Sequence, residues 1–132
     1  MCDLMRNILA AFLLATIAAS SHAASLCDRD SANTLAINAC SEDDFRAAES
    51  TLNKAYKRVI ASLSSDSDVD SHSAETKKYL IGAQRAWVVF RENDCLAGDT
   101  ASGNATLRTE YFGCMQQHAE SRTKQLLEYL RR

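Results

Sequence analysis

The chain of 132 residues contains no proline and only four glycines. These two residue types most often interrupt helices and form tight turns, so their scarcity excludes a chain built from many short, turn-linked elements. Three of the glycines, Gly98, Gly103 and Gly113, lie within one stretch near the C-terminus. The sequence therefore predicts a string of helices with one principal interruption, and it contains no sign of a strand pair, an internal repeat or a second domain.

An excess of basic residues is also missing. Lysine and arginine total 15, aspartate and glutamate total 17, and the formal net charge is −2. Nucleic-acid-binding domains usually carry a clear basic excess, so this balance argues against DNA or RNA as the partner. It remains compatible with a basic protein partner.

The sequence has no apolar run long enough to span a membrane. Residues 8–19 are uncharged, but this run is well short of the roughly 20 residues that a transmembrane helix needs. The run follows Arg6 and precedes the small residues that end at Ala23, a pattern typical of a secretory signal peptide. We expect residues 1–23 to be removed and no stable membrane insertion afterwards. Translation from Met5 instead of Met1 would give a cleaner basic leader.

Residues 24–132 are enough for one compact domain and too few for two. Cys27 follows Leu26, whereas a bacterial lipoprotein signal has a small residue at that position, so we expect an unlipidated, periplasmic or secreted bacterial protein. Oligomeric state is left open by the sequence.

Four cysteines remain after removal of the leader, and an even number in a small exported domain predicts two disulfides. Zinc would require ligands in closely spaced pairs, and the sequence has none, so we expect no metal and no cofactor. Four cysteines permit three pairings. The predicted helix layout favours Cys27 with Cys40, and Cys95 with Cys114 across an antiparallel hairpin.

Helical periodicity indicates an all-α fold: a small, disulfide-stapled antiparallel bundle of three long helices plus a short leading helix. The first long helix is predicted over about residues 34–63, with Ser31 or Asn33 as its cap and a possible break at residues 41–44. Further helices are predicted over about 74–94 and 106–130. Turn-prone residues at 64–73 and 98–104 predict the connections.

The segment from Ala83 to Cys95 holds the chain's only tryptophan. On a helix, one stripe would contain Leu80, Ala83, Trp87 and Phe90, and the stripe beside it Gln84, Val88, Arg91 and Cys95. We expect the first stripe, including Trp87 and Phe90, to be core. The position of Arg91 beside it predicts a partly buried guanidinium paired with a carboxylate, for which the candidates are Asp44, Glu49 and Glu110.

The sequence gives little support for a catalytic site, so we expect that the protein is not an enzyme. Asp66, Asp68 and Asp70 match the first ligands of a calcium-binding loop, but the required glycine and terminal glutamate are absent. His72 and His118 have no sequence context that indicates a base beside a nucleophile.

The pattern of Gln84, Trp87, Arg91 and Cys95 resembles the signature of the LprI-type lysozyme inhibitor family, a family of bacterial exported domains. The resemblance extends from about Cys27 to Leu127 and includes further positions on the first and last helices. The matching positions, interpreted as fold-making, are Glu49, Leu52, Asn53, Tyr56, Gln84, Trp87, Arg91 and Arg122. Glu49 departs from the aspartate that the family pattern leads us to expect.

The resemblance implies a protein partner, lysozyme, and inhibition by steric blocking of its cleft. The alternative is an envelope accessory or immunity-like protein that binds another partner and has no effect on lysozyme. Residues of the two predicted connections are the candidate partner contacts: Asp66, Asp68, Asp70, Gly98, Asp99, Gly103 and Asn104.

Overall fold

In the computed structural model the described residues are 26–65, 71–103 and 108–131, and the side chains of residues 65 and 71 are not among them. The predicted signal peptide, Asp66, Asp68, Asp70 and Asn104 lie outside the described residues. Three helices follow one another: α1, Thr34–Ser65; α2, Ser71–Ser102; and α3, Thr109–Glu128. A 3-10 turn, Tyr129–Arg131, continues from α3. The all-α class is confirmed, and the described residues include no strand.

Helix α1 begins where the sequence predicts, because the Asn33 side-chain oxygen accepts a hydrogen bond from the Leu35 backbone N–H at 2.8 Å. The possible break at residues 41–44 does not occur. Ser41 lies inside the helix and donates its hydroxyl to the Ile37 carbonyl at 3.1 Å, instead of capping a new helix. The short leading helix is therefore the first part of α1.

Helix α2 extends well beyond its predicted end near Asp94. The predicted loop over residues 98–104 is therefore wrong for residues 98–102, which are helical. A single glycine inside a helix costs only about 1 kcal/mol, and Gly98 is tolerated there. The hydroxyl of Thr100 donates back to the Leu96 carbonyl at 2.7 Å and keeps to the helical path. Gly103, with φ of 68°, takes the left-handed conformation that ends the helix.

The helices pack up, down and up, so that α2 is antiparallel to both neighbours. A central group of buried residues from all three helices forms the main core: Leu52, Ala55, Val59, Leu80, Ala119 and Leu126. A second buried group lies nearer the α2–α3 connection and comprises Cys95, Tyr111 and Met115. Within the described ranges, no helix is long and apolar enough to cross a membrane.

Both favoured disulfides are confirmed. Cys27 bonds to Cys40, which fastens the irregular residues before α1 onto its second turn, and Cys95 bonds to Cys114 between α2 and α3. Both bonds lie in the same half of the molecule. We call that half the disulfide end, defined as residues 26–46, 92–103 and 108–116.

Candidate functional site

Arg91 lies at the centre of the bundle and is only 5% exposed. Both terminal nitrogens of its guanidinium donate to the two carboxylate oxygens of Glu49 on α1. The guanidinium carbon lies 4.7 Å from the centre of the Trp87 ring and 5.7 Å from that of Phe45. The Arg91 guanidinium is thus paired with a carboxylate and flanked by two aromatic rings, and these contacts connect α2 to α1.

Arg122 makes a second tie, from α3 to α2. Its Nε donates to the side-chain oxygen of Gln84 at 3.0 Å, and its guanidinium carbon lies 5.8 Å from the Trp87 ring. Of the other signature positions, Leu52 is buried in the core, Tyr56 packs against it and Asn53 is exposed. Most of the signature thus lies between the helices and leaves little side-chain surface for a partner.

The predicted stripes on α2 need correction. Phe90 is 56% exposed and Ala83 is exposed, although both were expected in the core. The buried line instead runs through Gln84, Arg91 and Cys95, each less than 10% exposed. Arg91 must reach Glu49 and Cys95 must reach Cys114, and these two bonds rotate Phe90 outward.

His118 lies at the edge of this network. Its ring stands edge-on to those of Trp87 and Phe90, and its Nε2 lies 2.9 Å from Asp94 Oδ2. A ring nitrogen also lies within 4.8 Å of the sulfurs of Cys95 and Cys114, a grouping that could surround a metal ion if the sulfurs were free. Those sulfurs are joined in a disulfide, so they offer no thiolate to a metal.

Acidic residues concentrate at the disulfide end. Its described residues carry nine acidic and three basic side chains, whereas the remaining described residues carry four acidic and ten basic ones. Among the described residues the disulfide end therefore has a formal charge of −6, and the remaining part, which we call the basic end, has +6. Asp66, Asp68 and Asp70 lie outside the described residues and are not included in this sum. A field of this kind attracts basic surfaces to one end.

Two of the acidic groups at this end are held by specific partners. Tyr111 donates its hydroxyl to Glu92 at 2.8 Å, and burial together with this hydrogen bond raises the Tyr111 pKa. Asp44 accepts two hydrogen bonds from Arg29, which lower the pKa of that carboxyl although the pair is exposed. Both carboxylates are thus held in position by hydrogen bonds.

The disulfide end also contains the described contact candidates, Gly98, Asp99 and Gly103, all near the end of α2. Gly98 is exposed, and a Cβ there would meet nothing within 4 Å. One carboxylate oxygen of Asp99, Oδ1, is buried without a hydrogen-bond partner among the described residues. The sequence predicted a loop for these residues, whereas Gly98 and Asp99 belong to the last turns of α2 and Gly103 is the residue that follows it.

Exposed leucines accompany the acidic groups. Leu26, Leu35 and Leu96 are all more than a third exposed, and all three belong to the disulfide end. Large apolar side chains surrounded by charge are typical of protein-binding surfaces. This combination of carboxylates, leucines and an open glycine makes the disulfide end the candidate binding surface.

Two shallow depressions lie along α1. One of about 490 Å³ runs between α1 and α3, and its lining consists of Asp44, Ala47, Ala48, Thr51, Gln116, Glu120, Thr123 and Lys124. Another of about 430 Å³ lies along α1 beside Glu49 and Asn53. Neither lining includes a histidine or a cysteine.

Sequence reasoning missed the charge separation and the outward rotation of Phe90. The sequence did contain the signal for the charge separation. Glu42, Asp43 and Asp44 lie in the first third of α1, and Lys54, Lys57 and Arg58 lie in its second half. Along α2 the order is reversed, with basic residues first and acidic residues last. Because α2 runs antiparallel to α1, the acidic parts of the two helices lie at the same end. Recognising this requires the helix register, which the cysteines alone did not establish.

Comparison with known proteins gives two matches and one absence. The sequence profile of the family described as "Lysozyme inhibitor LprI" matches residues 27–126. An uncharacterized protein, R02472 of Rhizobium meliloti (strain 1021), is 33% identical over 107 residues, which cover 77% of each chain. No solved structure matches. The profile spans both disulfides and the whole Arg91 network.

Proposed function

We propose that this chain, which belongs to the LprI lysozyme inhibitor family, inhibits a lysozyme by covering its substrate cleft with the disulfide end. Membership supports a role in lysozyme inhibition in general and fits a protein that is not an enzyme. The two disulfides fit an exported protein, since such bonds persist outside the reducing cytosol.

The charge separation is the observation that carries this proposal. Many lysozymes have a basic exterior, and a surface with nine acidic and three basic residues would attract it. Attraction of this kind accelerates encounter and orients the partner, while adding less to the final affinity. The same field would direct the opposite, basic end of the bundle away from a basic lysozyme.

The cleft of a lysozyme contains catalytic carboxylates, which acidic side chains would repel. We therefore expect the acidic groups to meet the basic rim, and uncharged residues to face the cleft itself. Leu96 and Gly98 are exposed on the last turns of α2, and Gly98 leaves space for a close approach. Leucine side chains can bury apolar area there without leaving a charge unpaired.

Rigidity would favour this mode of binding. Cys95–Cys114 holds the end of α2 against α3, and Cys27–Cys40 holds the preceding segment against α1. A surface that is already ordered loses less conformational entropy when it binds. The bonds are thus expected to contribute to affinity as well as to folding stability.

A turbidity assay with the purified mature protein tests the proposal. Lysozymes of several classes should clear a cell-wall suspension more slowly when micromolar protein is present. Undiminished clearing with every class would overturn lysozyme inhibition. Capture of a different envelope protein, with lysozyme unbound, would instead support an accessory or immunity-like role.

A further inference from the structure

Helix α2 exposes a largely apolar face along its middle section. Tyr79, Val89 and Phe90 are 65%, 62% and 56% exposed, although each side chain is large and hydrophobic. Further apolar residues on the same side are also exposed and mostly small: Gly82, Ala83, Ala86, Leu96 and Ala97. These eight residues form the outer face of α2. Exposed Asn93 lies among them, and its side-chain amide donates back to the Val89 carbonyl at 2.9 Å. Monomeric soluble proteins seldom leave so long an apolar strip uncovered.

Large and small residues of the outer face are placed symmetrically about its middle. The large Tyr79 lies as far before position 88 as the small Ala97 lies after it, and Ala86 and Phe90 are related in the same way. A helix packed against this face in the opposite direction would fit best if it had small residues level with large ones. A second copy of the outer face meets that requirement.

Charges beside the outer face follow the same order. Lys78 and Arg85 flank its first half, and Glu92 and Asp99 flank its second half. At 100° per residue all four lie on one flank of the helix. Reversal of the helix direction therefore places positive groups opposite negative ones.

We propose that a second copy of this chain covers the outer face of α2, in an antiparallel pair related by a two-fold axis near Val88. Position 88 is the midpoint between Tyr79 and Ala97. A two-fold axis perpendicular to both helices brings the same flank of each copy together, as an isologous interface requires.

This register satisfies both patterns. With a rise of about 1.5 Å per residue, Arg85 lies within about 2 Å along the axis of Glu92 in the second copy. Lys78 likewise lies within about 2 Å along the axis of Asp99 in the second copy, and Phe90 is level with Ala86 of the second copy. In a parallel pair related by a two-fold axis, bulky side chains would be level with each other, and the two charged flanks would lie on opposite sides and could not pair.

The pair would be modest in strength. The outer face is about 27 Å long, which places a single helix pair at the lower end of stable interfaces. We expect a dimer that dissociates in the micromolar range. The outer face shares Leu96 and Ala97 with the disulfide end, and the flanking Glu92 and Asp99 also belong to that end. Val89, near the middle of the pair, lies outside the disulfide end, so a change there tests self-association separately from the proposed lysozyme contacts.

Crosslinking of single-cysteine variants tests the orientation. In the antiparallel pair the two copies of residue 89 lie about 3 Å apart along the axis, whereas the two copies of residue 79 lie about 27 Å apart. Val89→Cys should therefore give a covalent dimer with a short bis-maleimide reagent, and Tyr79→Cys should not. Both positions are similarly exposed, so reactivity is matched.

Sedimentation of the full mature chain tests the interface. We expect a concentration-dependent dimer, at least tenfold weaker for Val89→Glu, with lysozyme inhibition unchanged. A monomer at all concentrations up to the millimolar range, or equal crosslinking at residues 79 and 89, would overturn the proposal. Loss of lysozyme inhibition in Val89→Glu with no change in self-association would assign the outer face to lysozyme and would overturn it as well.

Discussion

Arg91 on α2 and Glu49 on α1 form an ion pair across 42 positions of sequence, and two nitrogens of the guanidinium contact the carboxylate. The Arg91 side chain is 6% exposed and that of Glu49 is 28% exposed. A carboxylate that retains some contact with water loses less hydration than a fully buried one, while the guanidinium gains a fixed partner. The pair therefore holds α2 in its register on α1.

Replacement of Arg91 tests this role. Arg91→Ala leaves the Glu49 carboxylate without its partner and removes the stacking against Trp87, so the free energy of unfolding should fall by about 3 kcal/mol. Arg85→Ala is the matched control on the same helix, because Arg85 is exposed, and it should change stability by less than about 0.5 kcal/mol. Denaturant unfolding measures both. Equal midpoints for the two variants would contradict a structural role for the pair.

The hydroxyl of Tyr111 should make stability depend on alkaline pH. Its pKa is raised above the ordinary value of 10.0 by burial and by the hydrogen bond to Glu92. A group whose pKa is higher in the folded state than in the unfolded state contributes stability that is fully present below its unfolded-state pKa. This contribution is lost as the pH rises through its folded-state pKa. Tyr111→Phe should cost about 1 kcal/mol at pH 7, and the difference from the wild type should shrink above about pH 10. A difference that stays constant up to pH 12 would contradict this account.

Replacement of two glycines near the C-terminal end of α2 should change stability in opposite directions. Gly98 lies in a regular helix with open space around it, so Gly98→Ala should raise the free energy of unfolding by about 0.5 to 1 kcal/mol. Gly103 has φ of 68°, so Gly103→Ala should lower it by about 1 kcal/mol. Thermal unfolding of both variants provides the comparison. If Gly98→Ala also weakened lysozyme inhibition, the open space would belong to the partner.

The fold was largely predictable because its signals are local. Apolar residues at helical spacing, together with the absence of proline, indicate three helices, and the predicted layout brings Cys95 beside Cys114. The bounds were less predictable, since neither Gly98 nor Ser41 interrupts its helix. Each residue costs a helix only about 1 kcal/mol or less, so its presence does not by itself mark an end.

The binding surface could not be predicted in the same way. Phe90 has the sequence character of a core residue, and only the bonds made by Arg91 and Cys95 turn it outward. The acidic end likewise arises from residues far apart in the sequence. Of the predicted contacts, Gly98, Asp99 and Gly103 lie at that end, and their part in binding lysozyme remains a prediction.

Charge reversal at the two ends of the bundle tests the central claim most directly. A double variant, Asp30→Lys with Glu110→Lys, alters exposed residues of the disulfide end, and Lys54→Glu with Lys57→Glu alters exposed residues of the basic end by the same amount of charge. The inhibition constant for a basic lysozyme should rise at least tenfold for the first variant, a loss of about 1.4 kcal/mol, and should stay equal or fall for the second. Equal inhibition by the two variants would contradict binding through the disulfide end.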